Sequence, residues 1–241
     1  LANGISEIDN IGHSVDVDAT IEAMKALGAQ ITKVDNKLIV DGTNTLKDIK
    51  NNSINCFESG STLRFLIPLA LHCPEPITFY GAEGLAKRPL NTYCGLFDRT
   101  NIKYETENQT LPITITPGDM SGIIELEGNI SSQFVSGLLF TLPLFPYDSE
   151  IKITTPFESK GYIDMTIDVM QKFGVTVKNN NYHTFRIHGG QSYKPTNYSI
   201  EGDFSQAAFF LSAGALGSFV VCKGLNLDTK QGDKQILNVI E

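Results

Sequence analysis

A pattern that recurs every 73 residues constrains the fold of this 241-residue chain more than any other feature of its sequence. Three stretches combine the apolar spacing of a helix with the alternation of a strand: VDATIEAMKALGAQITKV, RPLNTYCGLFDRTNIKYE and YIDMTIDVMQKFGVTVKN. The residues predicted to end these helices are Gly28, Asn101 and Gly174, at intervals of 73 residues. Equal spacing across two intervals indicates a structural unit that is used several times.

A second series of helices lies between these stretches and has nearly the same spacing. Each begins with small polar residues and continues as an apolar helix: SGSTLRFLIPLAL, SSQFVSGLLFTLPL and FSQAAFFLSAGAL. Strand candidates precede these helices (NSINCF, GIIELEG, NYSIEGD) and follow them (PITFYG, EIKITT, SFVVCKG). The repeating unit is therefore predicted to be βαβαββ, and the chain to be an α/β protein.

The positions of the units suggest a division into domains. Two units are complete, at about 51–118 and 121–190, whereas the unit before them lacks its first strand and helix. The segment 189–199, GGQSYKPTNYS, has the composition of a domain boundary. We predict a first domain of three units at 1–198, the first of them incomplete, and the beginning of a truncated second domain at 199–241. The alternative is a solenoid, although solenoid repeats usually run to only about 20–50 residues.

Charge and composition exclude several classes of partner. The net charge of −8 predicts no general attraction to nucleic acid or to anionic membranes, so an anionic ligand would have to be held by local donors. The longest apolar stretch, residues 65–71, is far too short to cross a membrane. The four cysteines and four histidines lack the spacing of metal ligands, so no metal site is expected and the cysteines are interpreted as buried, reduced thiols of a cytosolic protein.

The starts of several helices carry more polar groups than capping requires. In ISSQF, Ser131, Ser132 and Gln133 stand directly before an apolar run. One serine is enough to cap a helix, and the remaining donors lie where a helix N-terminus attracts anions. In ESKGY, Ser159 and Tyr162 occupy a similar place in the next unit. For each motif taken alone, capping or surface exposure remains the alternative to anion binding.

Two further motifs add a close backbone approach and a guanidinium. In ESGSTLRF, Gly60 allows its N–H to approach a ligand, or it is a simple turn residue, while Arg64 is interpreted as a brace that forms an ion pair. In GAEGLAKRPLNTY, proline favours the first helical position, so Arg88 is predicted to lie at a helix start. A guanidinium there can hold a carboxylate or phosphate with two hydrogen bonds, although a solvated surface arginine is the alternative.

Six segments in this order resemble the EPSP synthase family of enolpyruvyl transferases: ESGSTLR, GAEGLAKRPL, SSQFVSGLL, ESKGYIDMTIDVMQKFG, IEGDFSQAAFFL and QGDKQIL. The resemblance spans essentially the whole chain. It implies the inverse-barrel fold of that family, with two domains of three βαβαββ units each, which agrees with the repeat. It also implies transfer of the enolpyruvyl group of phosphoenolpyruvate to the 5-hydroxyl of shikimate 3-phosphate, with release of phosphate, in the shikimate pathway of aromatic amino-acid biosynthesis.

The resemblance assigns ligands to the polar helix starts. It implies that shikimate 3-phosphate is bound by five residues: Ser131, Ser132, Gln133, Ser159 and Tyr162. It implies that phosphoenolpyruvate is bound by three: Gly60, Arg88 and Gln133. The same resemblance implies a monomeric cytoplasmic enzyme whose reaction requires no metal and no organic cofactor.

Some positions depart from the family pattern, and other enzymes remain alternatives. Glu58 stands where the family often has asparagine, and its carboxylate would need a cation such as Arg64 or Lys87. The family's acid and base residues are absent, so no catalytic residue is named and the chain alone is expected to be inactive. One alternative is UDP-N-acetylglucosamine enolpyruvyl transferase, a family with a reactive cysteine in a loop. Cys94 is a poor match for that cysteine, because it lies in a helical pattern. The other alternative is a non-catalytic anion-binding repeat protein.

Overall fold

The computed structural model describes residues 1–240, and its elements follow the predicted order. The strands are β1 (Ile5–Asp9), β2 (Gln30–Val34), β3 (Lys37–Asp41), β4 (Ser53–Asn55), β5 (Ile77–Tyr80), β6 (Tyr104–Thr106), β7 (Ile113–Ile115), β8 (Gly122–Leu126), β9 (Ser149–Ile153), β10 (Val177–Asn180), β11 (Thr184–Ile187) and β12 (Tyr198–Ser199). The helices are α1 (Val15–Ala26), α2 (Gly60–Leu69), α3 (Glu83–Ala86), α4 (Asn91–Thr100), α5 (Ser132–Thr141), α6 (Lys160–Lys172), α7 (Phe204–Ala215) and α8 (Ile236–Ile240).

The strands form three four-stranded sheets with one shared arrangement. Their orders are β4-β5-β7-β6, β8-β9-β11-β10 and β12-β1-β3-β2. In each sheet the first pair is parallel and the other pairs are antiparallel. This arrangement confirms the α/β class and the βαβαββ unit, with the short helix α3 as an addition to the unit between β4 and β7.

The sheet of the incomplete first unit is completed from a distant part of the chain. β12 pairs in parallel with β1, through Ile8 with Tyr198 and Asp9 with Ser199. It therefore occupies the place that β4 and β8 hold in the other two sheets. The division into domains at residues 198 and 199 stays a prediction.

The three residues predicted to end helices have the required backbone geometry. Gly28, Asn101 and Gly174 have φ angles of +100°, +55° and +81°. In this left-handed region glycine has no steric penalty and asparagine is tolerated better than most residues. The 73-residue spacing therefore reflects a backbone reversal at the same point of each unit.

The parallel helices α2 and α5 pack at the centre, and equivalent positions of successive units meet there. A Cβ on Gly137 would lie 2.3 Å from the carbonyl oxygen of Arg64, so the two backbones are in close contact. Further along, His72 stacks on Phe145, with ring centroids 4.0 Å apart. Both pairs are 73 residues apart in the sequence. Because these contacts run in the same direction, the N-termini of α2 and α5 lie at the same end.

The region after β12 differs from the sequence-based expectation. The predicted strand SFVVCKG, residues 218–224, is wrong, because this segment forms no strand. Apolar alternation produces a strand only where another strand is available for pairing, and here the Phe219 side chain is 95% exposed. The preceding helix α7 buries Phe204 but leaves Phe209 and Phe210 exposed. Within residues 1–240, none of the helices combines the length and the apolar character that crossing a membrane requires.

Candidate functional site

The starts of α2 and α5 are held by serine caps, which place the polar motifs side by side. Ser59 Oγ accepts a hydrogen bond from the backbone N–H of Thr62 at 3.3 Å. Ser131 Oγ accepts from the backbone N–H of Gln133 at 3.4 Å. The capping interpretation is therefore confirmed for Ser131. Ser132 is the first residue of α5, is 7% exposed, and is not the cap.

Gly60, Arg64, Arg88 and Gln133 converge at this end of the helix pair. A Cβ on Gly60 would lie 2.8 Å from Arg64 Nη1, 3.1 Å from Arg88 Nη1 and 3.7 Å from Gln133 Oε1. Only a residue without a side chain lets both guanidinium groups approach the backbone this closely. The structure thus brings together all three residues that were predicted to bind one anion, and it adds Arg64.

The prediction that Arg88 starts a helix is wrong, although its side chain reaches the cluster. α3 ends at Ala86 and α4 begins at Asn91, so Arg88 and Pro89 lie in the link between them. The backbone N–H of Arg88 donates to the carbonyl of Leu85 at 3.0 Å. The link therefore turns back at the end of α3 and carries an exposed arginine whose guanidinium lies beside Gly60.

The prediction that Arg64 forms a bracing ion pair is also wrong. Among residues 1–240 no carboxylate pairs with its guanidinium, and Arg88 has no such partner either. Instead, Arg64 Nη1 donates to Gln133 Oε1 at 2.7 Å, and Arg64 Nε is buried without a partner in the same part of the chain. Burial lowers the pKa of Arg64, and the nearby positive charge of Arg88 lowers it further. Two unpaired guanidinium groups at one backbone position favour an anion between them.

Glu58 forms no ion pair with Arg64 or Lys87 as it was expected to do, nor with Arg88. Glu58 Oε1 accepts a hydrogen bond from the backbone N–H of Gly84 at 3.1 Å, in the first turn of α3. Lys87 pairs with Glu83 at 2.5 Å, and Arg64 contacts Gln133. The carboxylate therefore ties the α2 start to the segment that carries Arg88.

Ser159 and Tyr162 belong to a neighbouring cavity of about 950 Å³. Ser159 is the residue before α6 and its side chain makes no capping hydrogen bond, while Tyr162 is 54% exposed. Residues 198–201 and 228–233 also line this cavity. α5 contacts both α2 and α6, and Ser136 Oγ lies 2.8 Å from Thr166 Oγ1 between α5 and α6. Ser131 and Ser132, at the start of α5, do not line this cavity, so the structure does not bring them together with Ser159 and Tyr162 in one pocket.

Tyr93, which was not predicted to belong to the site, connects the two helices that carry the cluster. Its ring is fully buried, and its hydroxyl lies 2.7 Å from the carbonyl oxygen of Arg64 and 3.1 Å from that of Phe134. Tyr93 in α4 thus contacts both α2 and α5. Its helical apolar pattern gave no sign of this role, because the hydrogen bonds span 29 and 41 residues of sequence.

The cysteines provide no reactive group at this site. Cys56, Cys73 and Cys94 are buried as predicted, whereas Cys222 is half-buried. Burial raises the pKa of the Cys94 thiol, so its nucleophilic thiolate is disfavoured. Residues 1–240 contain no group of three or more His, Cys, Asp or Glu side chains arranged to hold a metal ion.

Comparison with known proteins gives one consistent result. The family model described as EPSP synthase (3-phosphoshikimate 1-carboxyvinyltransferase) matches residues 1–241. The chain is 54% identical over its whole length to the 3-phosphoshikimate 1-carboxyvinyltransferase of Clostridium perfringens strain SM101, and 49% identical to that of Clostridium kluyveri. It covers 57% and 56% of these relatives, so it spans little more than half of their length.

A solved structure resembles the fold of the chain. The structure of EPSP synthase from Acinetobacter baumannii superposes with a TM-score of 0.76 at 22% sequence identity, over 90% of this chain and 48% of the other. At this identity the likeness concerns the fold, and it confirms the inverse-barrel architecture that the resemblance implied.

Proposed function

The chain belongs to the EPSP synthase family, and we propose that it supplies part of the active site of a 3-phosphoshikimate 1-carboxyvinyltransferase. This enzyme transfers the enolpyruvyl group of phosphoenolpyruvate to the 5-hydroxyl of shikimate 3-phosphate and releases phosphate. The observation that carries the proposal is the meeting of two guanidinium groups at the backbone of Gly60, beside Gln133 and without a carboxylate partner in residues 1–240.

We assign phosphoenolpyruvate to this cluster. Gly60 would donate its backbone N–H, Arg88 a bidentate pair of N–H groups, and Gln133 its amide. Carboxylates and phosphates are the groups that planar guanidinium donors hold best. The N-terminal end of α2 adds its positive dipole in the same direction.

We assign shikimate 3-phosphate to the starts of α5 and α6. Ser131, Ser132 and Ser159 would hold the 3-phosphate with hydroxyl and backbone donors, as helix N-termini hold anions elsewhere. Gln133 would contact both substrates, because it follows Ser131 and Ser132 at the start of α5 while its amide lies at the Gly60 cluster. The exposed ring of Tyr162 would line the pocket for the six-membered ring, in the cavity beside α6. Ser131 would then cap α5 in the free protein and bind phosphate in the complex.

The chemistry that this arrangement supports is positioning and charge stabilisation. The 5-hydroxyl attacks the central carbon of phosphoenolpyruvate and loses its proton while the methylene carbon gains one, which gives a tetrahedral intermediate. Phosphate then leaves from the central carbon as the new methyl group loses a proton. Fixed N–H, hydroxyl and guanidinium donors hold two polyanions together and stabilise the intermediate. We assign no residue of this chain to the proton transfers, and the proposed reaction uses no metal and no organic cofactor.

A UDP-N-acetylglucosamine enolpyruvyl transferase is not favoured, because the thiol of Cys94 is buried in α4. The buried free thiols agree with the proposed cytoplasmic location. We propose separately that the full-length enzyme is a monomer. A non-catalytic anion-binding protein would bind inorganic phosphate as well as it binds shikimate 3-phosphate.

Thermal unfolding with different ligands tests the proposal. Shikimate 3-phosphate at a hundred times its Kd should raise the free energy of unfolding by about 2.7 kcal/mol. Inorganic phosphate at the same concentration should have a much smaller effect. Equal protection by both ligands would favour the non-catalytic alternative.

A serine substitution then locates the phosphate. Ser132→Ala, in a protein with the full length of the relatives, should weaken shikimate 3-phosphate binding by about 1–3 kcal/mol in calorimetry. Ser53→Ala, in β4 and outside both clusters, is the matched control. Helix content should stay constant because Ser131 is the cap. An unchanged affinity for shikimate 3-phosphate would mean that Ser132 has only a structural role.

A further inference from the structure

The side chain of Arg64 is restrained by contacts with α5, although it forms no ion pair within residues 1–240. Its guanidinium carbon lies 5.0 Å from the centroid of the Phe134 ring, and its Nη1 donates to Gln133 Oε1 at 2.7 Å. Its backbone carbonyl faces the Tyr93 hydroxyl at 2.7 Å and would lie 2.3 Å from a Cβ on Gly137. Backbone and side chain are therefore both held against α5.

This contact determines which end of the Gln133 amide faces the cluster. A glutamine amide has an acceptor oxygen and a donor NH₂ group, whereas a guanidinium has donors only. Arg64 can therefore bond only to Oε1, and the alternative orientation would place two donors against each other. With Oε1 occupied by Arg64, the NH₂ group is the end left to bind an anion. Without Arg64, rotation of the amide could turn its oxygen towards the anion and repel it.

We propose that Arg64 is a positioning residue of the anion cluster, which holds the Gln133 amide so that its NH₂ group faces the bound anion. The identity of that anion, phosphoenolpyruvate, rests on the proposed function. The positive charges of Arg64 and Arg88 both lie at Gly60, so an anion between them also relieves their mutual repulsion. The orienting role through Gln133 is distinct from this charge effect, because only the orienting role requires Gln133.

A double-mutant cycle in a protein of full length separates these two roles. Arg64→Met keeps the apolar stem and removes every donor, and it should raise the KM for phosphoenolpyruvate at least about tenfold. In a Gln133→Ala background the same substitution should raise KM by less than about threefold, because the group that Arg64 orients is gone. Arg186→Met, at an exposed arginine paired with Glu150, is the matched control. If Arg64→Met raises KM by the same factor with and without Gln133, the two substitutions act independently and the proposal is overturned.

A second measurement needs no turnover, so it remains informative if the proposed function fails. In ¹⁵N-resolved NMR spectra, the side-chain NH₂ signals of Gln133 are identified by their loss in Gln133→Ala. Arg64→Met should shift these signals, and unchanged signals would overturn the positioning role. Absence of turnover in the unsubstituted full-length protein would instead refute the proposed function. If Arg64→Met does not fold, Arg64→Lys replaces it in both measurements, with a smaller KM increase of about threefold expected.

Discussion

The contact between α2 and α5 yields a sharp prediction for Gly137→Ala. The added Cβ would lie 2.3 Å from the Arg64 carbonyl oxygen and 2.5 Å from the Tyr93 hydroxyl. Ordinary contact begins at 3.4 Å, so the two helices would have to separate by about 1 Å. The carbonyl belongs to a helix backbone and cannot rotate away.

Two effects of Gly137→Ala lower the free energy of unfolding and one effect raises it. Overpacking of a well-packed core costs about 1–3 kcal/mol, and displacing the buried Tyr93 hydroxyl from its acceptors costs about 1–3 kcal/mol more. Alanine regains about 1 kcal/mol over glycine in a helix interior. The net loss should be about 3 kcal/mol, which for a chain of this size lowers the Tm by roughly 6–12 °C.

Urea unfolding followed by circular dichroism measures this loss. Gly12→Ala is the matched control, because a Cβ there meets no atom within 4 Å and its φ angle is not positive. If Gly137→Ala is as stable as Gly12→Ala, α2 and α5 do not approach as closely as described. A destabilised variant should also bind phosphoenolpyruvate more weakly, because separating the helices moves Arg64 away from Gln133.

Three further predictions concern the cluster, the helix ends and the exposed region. Arg88→Lys keeps the charge but loses the planar fork, so in a full-length protein it should raise the KM for phosphoenolpyruvate far more than that for shikimate 3-phosphate. Equal increases would mean that Arg88 serves the other substrate. Burial lowers the pKa of His72, so the folded state resists protonation, and stability should be lost as the pH falls below about 6.5. In urea unfolding between pH 7 and 5, the free energy of unfolding should fall less steeply with pH for His72→Gln than for His183→Gln, at an exposed histidine. Equal slopes of this free energy against pH would contradict the assignment to His72. The purified 241-residue chain should self-associate through the exposed apolar face of α7, and substituting Phe209 and Phe210 by serine should reduce this association in sedimentation experiments. A monomeric unsubstituted chain would refute this expectation.

The repeat explains why much of the fold could be predicted. A helix that ends in a left-handed residue leaves a local signature, and Gly28, Asn101 and Gly174 carry it at each step. The polar starts of α2 and α5 are equally local, because a capping serine bonds to residues two or three positions ahead. These features depend on neighbours in sequence, so period and composition were sufficient to find them.

The candidate site was predictable only where it coincides with helix starts. Gly60, Gln133 and Arg88 were singled out from their motifs, and the structure brings them together, although the helix position predicted for Arg88 was wrong. Arg64 was given a carboxylate partner that it does not have, and Tyr93 was not considered. Their partners lie 69 and 29 residues away, so no local pattern distinguishes them from ordinary helix residues.

The sequence by itself determined the unit, its length and the ends of its helices, because those depend on side-chain periodicity and on the backbone preferences of single residues. Only the tertiary structure decided which strand completes the first sheet, where β12 pairs with β1 across 190 residues of chain. It also decided that residues 218–224 form no strand, because a strand requires a partner for its backbone hydrogen bonds. The tertiary structure likewise decided the orientation of the Gln133 amide, since a guanidinium donor from another helix sets it.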